Sequence, residues 1–174
     1  METPRKKAVE RELFRTSDGT HLTVAHFHPG GLEKGIILIP PLIGGSFILF
    51  GRQFTHLVRQ GYRVVSFNYR GHGDSEGLFT LRASFDDALQ LAKHLREMNP
   101  MVPLFAVGTC SGSMPLFHII TRAPGLLSGV VFINAIYHLQ QTATPIEALV
   151  MYMKSRGLRP PESIGDLTDL VGLA

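Results

Sequence analysis

Four short apolar runs recur along the chain, and between them the apolar residues switch to helical spacing. The runs are Gly35-Ile36-Ile37-Leu38-Ile39, Arg63-Val64-Val65-Ser66-Phe67, residues 104–107 and Gly129-Val130-Val131-Phe132-Ile133-Asn134. Runs of this length, apolar on both sides of the pleat, suit strands buried on two faces. Ahead of them, Phe14, Asp18-Gly19 and the alternating stretch 21–27 predict two strands around a tight hairpin turn. Phe50, Phe54, Leu57 and Val58 repeat at helical spacing up to Gly61, a helix stop. Residues 84–98 place Phe85, Ala88, Leu89, Ala92 and Leu95 on one face, with Ser84 or a neighbour as cap. Residues 113–122 predict the next helix, and 145–156 and 163–171 two more, separated by Pro160-Pro161.

Strands alternating with helices imply an α/β fold, a mostly parallel sheet flanked by helices. Right-handed crossovers would join its parallel strands. In such sheets the chemistry sits beyond the carboxyl ends of the strands, here after Ile39, Phe67, Val107 and Ile133. No internal repeat or interdomain linker interrupts the pattern. The expected organisation is a flexible tail over 1–10, a partial α/β core over 11–141 and a cap-like helical segment over 142–174.

Composition narrows the class without choosing a function. With 174 residues, 44% hydrophobic and 18% charged, the chain has the size and balance of one soluble globular domain. The net charge of +3 is too small to argue for a nucleic-acid partner, and Arg5-Lys6-Lys7 suits a solvated terminus. The most apolar stretch, 36–50, is broken by Pro40-Pro41 and Gly44-Gly45 and is shorter than the roughly 20 residues of a membrane span. A single cysteine excludes an internal disulfide, and no apolar leader follows the basic N-terminus. A cytoplasmic protein is therefore expected.

After the third apolar run comes Gly108-Thr109-Cys110-Ser111-Gly112-Ser113. A nucleophile elbow needs glycine two before and two after the reactive residue, so that strand and helix can approach around a strained turn. Only one frame fits, and it centres on Cys110. The N–H groups opening the next helix would favour negative charge on a sulfur there, and the Ser111 N–H would face an oxyanion. The alternative is a small apolar side chain filling a strand-to-helix turn.

At this point the sequence resembles the α/β-hydrolase superfamily, over about residues 12–134. Three motifs carry the resemblance in order. They are the run 36–39 with Pro40-Pro41-Leu42-Ile43-Gly44-Gly45, the stretch Asn68-Tyr69-Arg70-Gly71-His72-Gly73-Asp74-Ser75, and the Cys110 turn. The resemblance implies Cys110 as nucleophile, with Leu42 and Ser111 as the oxyanion hole and Gly108 and Gly112 as elbow glycines. Pro40-Pro41 stands where the family usually has His-Gly. The stretch around His72 is implied to shape the site's wall, and His118 to be a packed or rim residue. His26 and His28 alternate on an expected edge strand and lack a third ligand, so no metal is expected. No cofactor is expected either, since neither a phosphate-cradling loop nor a dinucleotide fingerprint occurs.

The family's acid and histidine follow its seventh and eighth strands. Here the sixth strand is followed only by helical patterns, and His138 lies outside the expected position, so the pair has no candidate in this chain. A fold truncated after about the sixth strand would leave an exposed edge near Val130, open to a second copy or a partner chain. Two functions remain: hydrolysis or transfer of a small acyl substrate (ester or thioester) through Cys110, or ligand or partner binding by a non-catalytic hydrolase fold.

Overall fold

The structure, a computed structural model, describes residues 9–45, 47 and 53–136. The helical patterns at 145–156 and 163–171, and His138, lie outside these residues. The six strands are β1 (Val9–Arg15), β2 (His21–Phe27), β3 (Gly35–Leu38), β4 (Tyr62–Phe67), β5 (Leu104–Thr109) and β6 (Gly129–Ile133). They form one sheet in the order β1-β2-β4-β3-β5-β6. β1 pairs antiparallel with β2, and β2 with β4; the pairs β3–β4, β3–β5 and β5–β6 are parallel. The mostly parallel sheet expected from the apolar runs is present. β1 starts at Val9, two residues inside the stretch assigned to the tail.

The hairpin closes as Asp18-Gly19 predicts. Thr16 N–H donates to the Thr20 carbonyl at 2.9 Å, and Gly19 takes φ +89°, a region that glycine enters without steric cost. β2 corrects an expectation. It lies between β1 and β4 rather than at the edge, so His26 and His28 are buried. Their rings stack 6.0 Å apart. His26 Nε2 meets Glu12 at 2.7 Å, while His28 meets Glu10 at 3.1 Å and Glu33 at 3.3 Å. The polar positions of the alternation thus face paired charges across the hairpin, not solvent. The hydrogen bond from His26 holds the Glu12 carboxyl below its usual range, with a partial opposing contribution from burial.

Helices cover both faces of the sheet. The pattern ending at Gly61 contains α1 (Thr55–Arg59), whose Leu57 and Val58 pack on Ala25, Ile37, Ile39 and Val64. The opposite face carries α2 (Leu81–Met98) and α3 (Met114–Arg122). α2 begins three residues before the predicted start. Thr80 is its cap and accepts from the Ala83 N–H at 3.3 Å, whereas Ser84 is buried inside the helix. Its buried face is Phe85, Ala88, Leu91, Ala92 and Leu95, and Leu89 packs half-buried against the same core, so Leu91 joins the face expected from the sequence. No helix among the described residues is long and apolar enough to cross a membrane.

One polar contact fastens α2 to the loop after β4. The Arg70 guanidinium grips Asp87 through two bonds of 2.7 and 2.6 Å and also reaches Asp18 at 3.0 Å. Asp87 is wholly buried. Burial pushes its carboxyl up, and Arg70 pulls it back down, with Arg70 itself held firmly charged by that bond. Removing one member of a buried pair strands the other. Asp87→Ala should lower stability by about 3 kcal/mol in urea unfolding, and Arg70→Met with Asp87→Leu should cost less than Asp87→Ala alone.

Candidate active site at the carboxyl edge of the sheet

Because β3 lies between β4 and β5, the ends of these three strands converge. The loop after β3 (Pro40 to Gly45) therefore meets the residues after β4 and the turn after β5. That turn is a 3-10 turn, Cys110–Ser113, which runs straight into α3. Cys110 has φ +49° and an exposed side chain. For a non-glycine residue this conformation costs roughly 1–2 kcal/mol, so neighbouring contacts must hold it in place.

Those contacts begin with the two glycines. A Cβ at Gly108 would lie 2.7 Å from Ser113 Cα and 2.9 Å from Leu116 Cδ1. One at Gly112 would lie 2.5 Å from the Pro40 carbonyl oxygen and 3.2 Å from that of Pro41. Gly108 thus lets the strand pass close under α3, and Gly112 lets the turn sit on the loop after β3. Ser113 adds a clamp, since its hydroxyl donates to the Cys110 carbonyl and accepts from the Ile136 N–H at 3.0 Å.

The loop after β3 is tied at several points. Ile43 N–H donates to the Ser111 hydroxyl at 3.1 Å, and Tyr69 Oη donates to the Pro41 carbonyl at 2.9 Å. Gly45 N–H closes a turn onto the Leu42 carbonyl at 2.8 Å. Pro40 and Pro41 have no N–H. With the Ile43 and Gly45 amides engaged, the Leu42 N–H is left without an acceptor among the described residues. The Ser111 N–H is similar: at the second position of the turn it precedes the first intrahelical bond. Two amides, from Leu42 and Ser111, are thus available on segments that touch each other beside Cys110. Tyr69 belongs to the stretch after β4 that the resemblance implies as a wall of the site, but nothing in the sequence marks its hydroxyl as a tie to Pro41.

The histidines among the described residues make their contacts elsewhere, and His56, exposed on α1, lies beside the Phe54 ring with centroids 6.3 Å apart. His21 pairs with Glu76, His26 and His94 with Glu12, His28 with Glu10 and Glu33, and His118 with Asp86 at 2.8 Å. His118 bridges α3 to α2, in keeping with a packed residue. His72 is buried against Phe79, ring centroids 4.7 Å apart, with Nδ1 at 3.2 Å from the Arg70 carbonyl and Nε2 unpartnered. Burial pushes its imidazole down, partly offset by that carbonyl. No group of three metal-binding side chains occurs among the described residues.

Gly112→Ala should destabilise the fold by about 1–3 kcal/mol in urea unfolding, because the obstacle is backbone. Gly30→Ala, with nothing within 4 Å, should leave stability unchanged and serves as the control. The neutral His72 gives a pH dependence. An unfolded histidine titrates near 6.5 and the folded one lower, so its contribution is complete above that pH and is lost as pH falls. The fall in melting temperature from about pH 7.5 to about pH 5.5 should be shallower in His72→Gln than in the wild type.

Comparison with known proteins agrees with this architecture. The chain is 25% identical to rat (Rattus norvegicus) monoglyceride lipase over 122 residues, which cover 68% of this chain and 40% of the lipase. It therefore spans less than half the length of that curated relative. Among solved structures, a thermostable carboxyl esterase from Bacillus coagulans superposes with a TM-score of 0.68 at 17% identity, covering 93% of this chain and 55% of the esterase. The thioesterase domain of the curacin biosynthetic pathway gives a TM-score of 0.63 at 20% identity, covering 89% and 57%. At these identities the superpositions show the fold alone. The sequence model of the family described as serine aminopeptidase, S33, matches residues 22–160. The chain belongs to this family of α/β hydrolases.

Proposed function

We propose that Cys110 is an acyl-accepting nucleophile and that the chain's chemistry is hydrolysis or transfer of an ester or thioester acyl group. The observation that carries this reading is the exposed Cys110 at φ +49° on the turn between β5 and α3. A strained backbone at that place is costly to maintain, and it presents the side chain beyond the strand ends. The family takes its name from serine, so a thiol replaces the hydroxyl here. A thiol is the stronger nucleophile of the two and depends less on an adjacent base.

In this reading the Cys110 sulfur attacks the acyl carbonyl carbon, and the carbonyl electrons move onto oxygen. The Leu42 and Ser111 N–H groups hold that oxyanion. When the carbonyl re-forms, the bond to the alcohol or thiol group breaks, that group leaves with the proton given up by the Cys110 thiol, and the acyl group stays on sulfur. Water or an acceptor then takes the acyl group and returns the thiol. The lipase and esterase relatives favour acyl esters as the substrate class, and the thioesterase domain favours thioesters.

A second reading is supported by the histidines, whose contacts among the described residues all lie away from Cys110. In it the fold binds an acyl ligand or a partner and turns nothing over. Incubating the chain with a fluorophosphonate, iodoacetamide and a p-nitrophenyl ester separates the two. Catalysis predicts Cys110 labelling faster than that of free N-acetylcysteine, ester turnover, and loss of both in Cys110→Ala. Slow labelling without turnover supports the binding reading.

A further inference from the structure

Two hydroxyls near the candidate site do more than fill space, and neither belongs to the reacting groups. The Ser111 side chain is almost fully buried and accepts the Ile43 N–H at 3.1 Å. Its residue also supplies one of the two amides assigned to the oxyanion. Ser111 therefore joins the halves of the hole directly, its backbone on one side and its hydroxyl bound to the opposite loop. Tyr69, almost wholly buried in the loop after β4, donates to the Pro41 carbonyl at 2.9 Å on the other flank of Leu42. Burial pushes its phenol well above the usual range, so it remains a donor.

The loop between these ties is short. Pro41, Leu42 and Ile43 are consecutive, with a hydroxyl bond on the first and the third and the free amide on the middle one. Pro40 and Pro41 restrict φ but have no N–H to donate, so the direction of the Leu42 N–H depends on side chains from the segments that follow β4 and β5. Occupation of the Ile43 amide by Ser111 also removes the neighbouring competitor for an incoming oxygen.

We propose that the Ser111 and Tyr69 hydroxyls are positioning residues that aim the Leu42 amide at the oxyanion formed on Cys110. The inference rests on the acyl-transfer reading and deepens it. Catalysis by fixed amides requires that they point at the developing charge before it forms. A loop freed at either end would still bind substrate but would have to be ordered during the reaction.

The test compares two reactions of Cys110 in the full chain. Acylation by p-nitrophenyl acetate, followed as single-turnover release of p-nitrophenolate, passes through an oxyanion. Alkylation by iodoacetamide does not, and it reports only the thiol. Ser111→Ala and Tyr69→Phe should each slow acylation by roughly tenfold or more while alkylation stays within about twofold of wild type. Ser111→Thr, which keeps the hydroxyl, should restore acylation. Tyr69→Phe keeps the ring in the core and carries the test if Ser111→Ala does not fold by circular dichroism. Wild-type acylation in both hydroxyl variants would overturn the inference and leave the acyl-transfer reading intact. A parallel loss of acylation and alkylation would also overturn it, since that marks a damaged turn rather than a misaimed amide. Wild-type acylation no faster than that of N-acetylcysteine would instead defeat the acyl-transfer reading, and this inference with it.

Discussion

The backbone of Gly112 approaches the Pro40 carbonyl so closely that a methyl group does not fit between them. Two loops from different strands can touch in this way only if the strands are neighbours, and β3 and β5 are hydrogen-bonded partners in the middle of the sheet. The buried pairing of Ile36, Ile37 and Leu38 with Leu104, Phe105 and Ala106 fixes how far each strand projects. Apolar burial deep in the sheet thereby sets the separation of polar groups at its rim. A shift of one residue in that register would turn every side chain of β5 to the other face and carry Cys110 with it.

A strained residue at the rim persists only if its surroundings determine it from several sides. Cys110 meets that requirement. Gly108 brings β5 under α3, Ser113 holds the Cys110 carbonyl and the Ile136 amide, and Gly112 seats the turn on the loop after β3. The Arg70–Asp87 pair acts further back by locking α2 to the loop that carries Tyr69 and His72. Packing, charge pairing and backbone geometry thus support one another around a single exposed sulfur.

Much of this was legible in the chain itself. The four apolar runs name the parallel strands; β3 and β4 are buried throughout or nearly so, whereas β6 is apolar in sequence yet half exposed among the described residues. The glycines around Cys110 mark close approach, which no larger residue could serve. β2 was misplaced because alternation reports that a strand has two unlike faces, not what covers them. His26 and His28 face carboxylates from β1 and the loop after β2, an arrangement visible only once the hairpin is folded. Ser84 resembles a cap in sequence, yet Thr80 occupies the extended conformation at the helix start. The ties from Ser111 and Tyr69 depend on contacts between distant segments, for which local spacing carries no signal.

The charged hairpin also makes the two sides of the sheet unlike. β1 carries Glu10, Arg11, Glu12 and Arg15, and Glu10 and Glu12 are committed to histidines of the adjoining strand and of α2. β6, outermost among the described residues on the other side, shows solvent Val131 and Ile133. An incoming strand at β1 would have to accommodate a row of charges; one at β6 would cover apolar surface. Among the described residues the two rims of the sheet thus differ in kind, ionisable on the β1 side and apolar on the β6 side, a contrast set by a handful of side chains near the amino terminus.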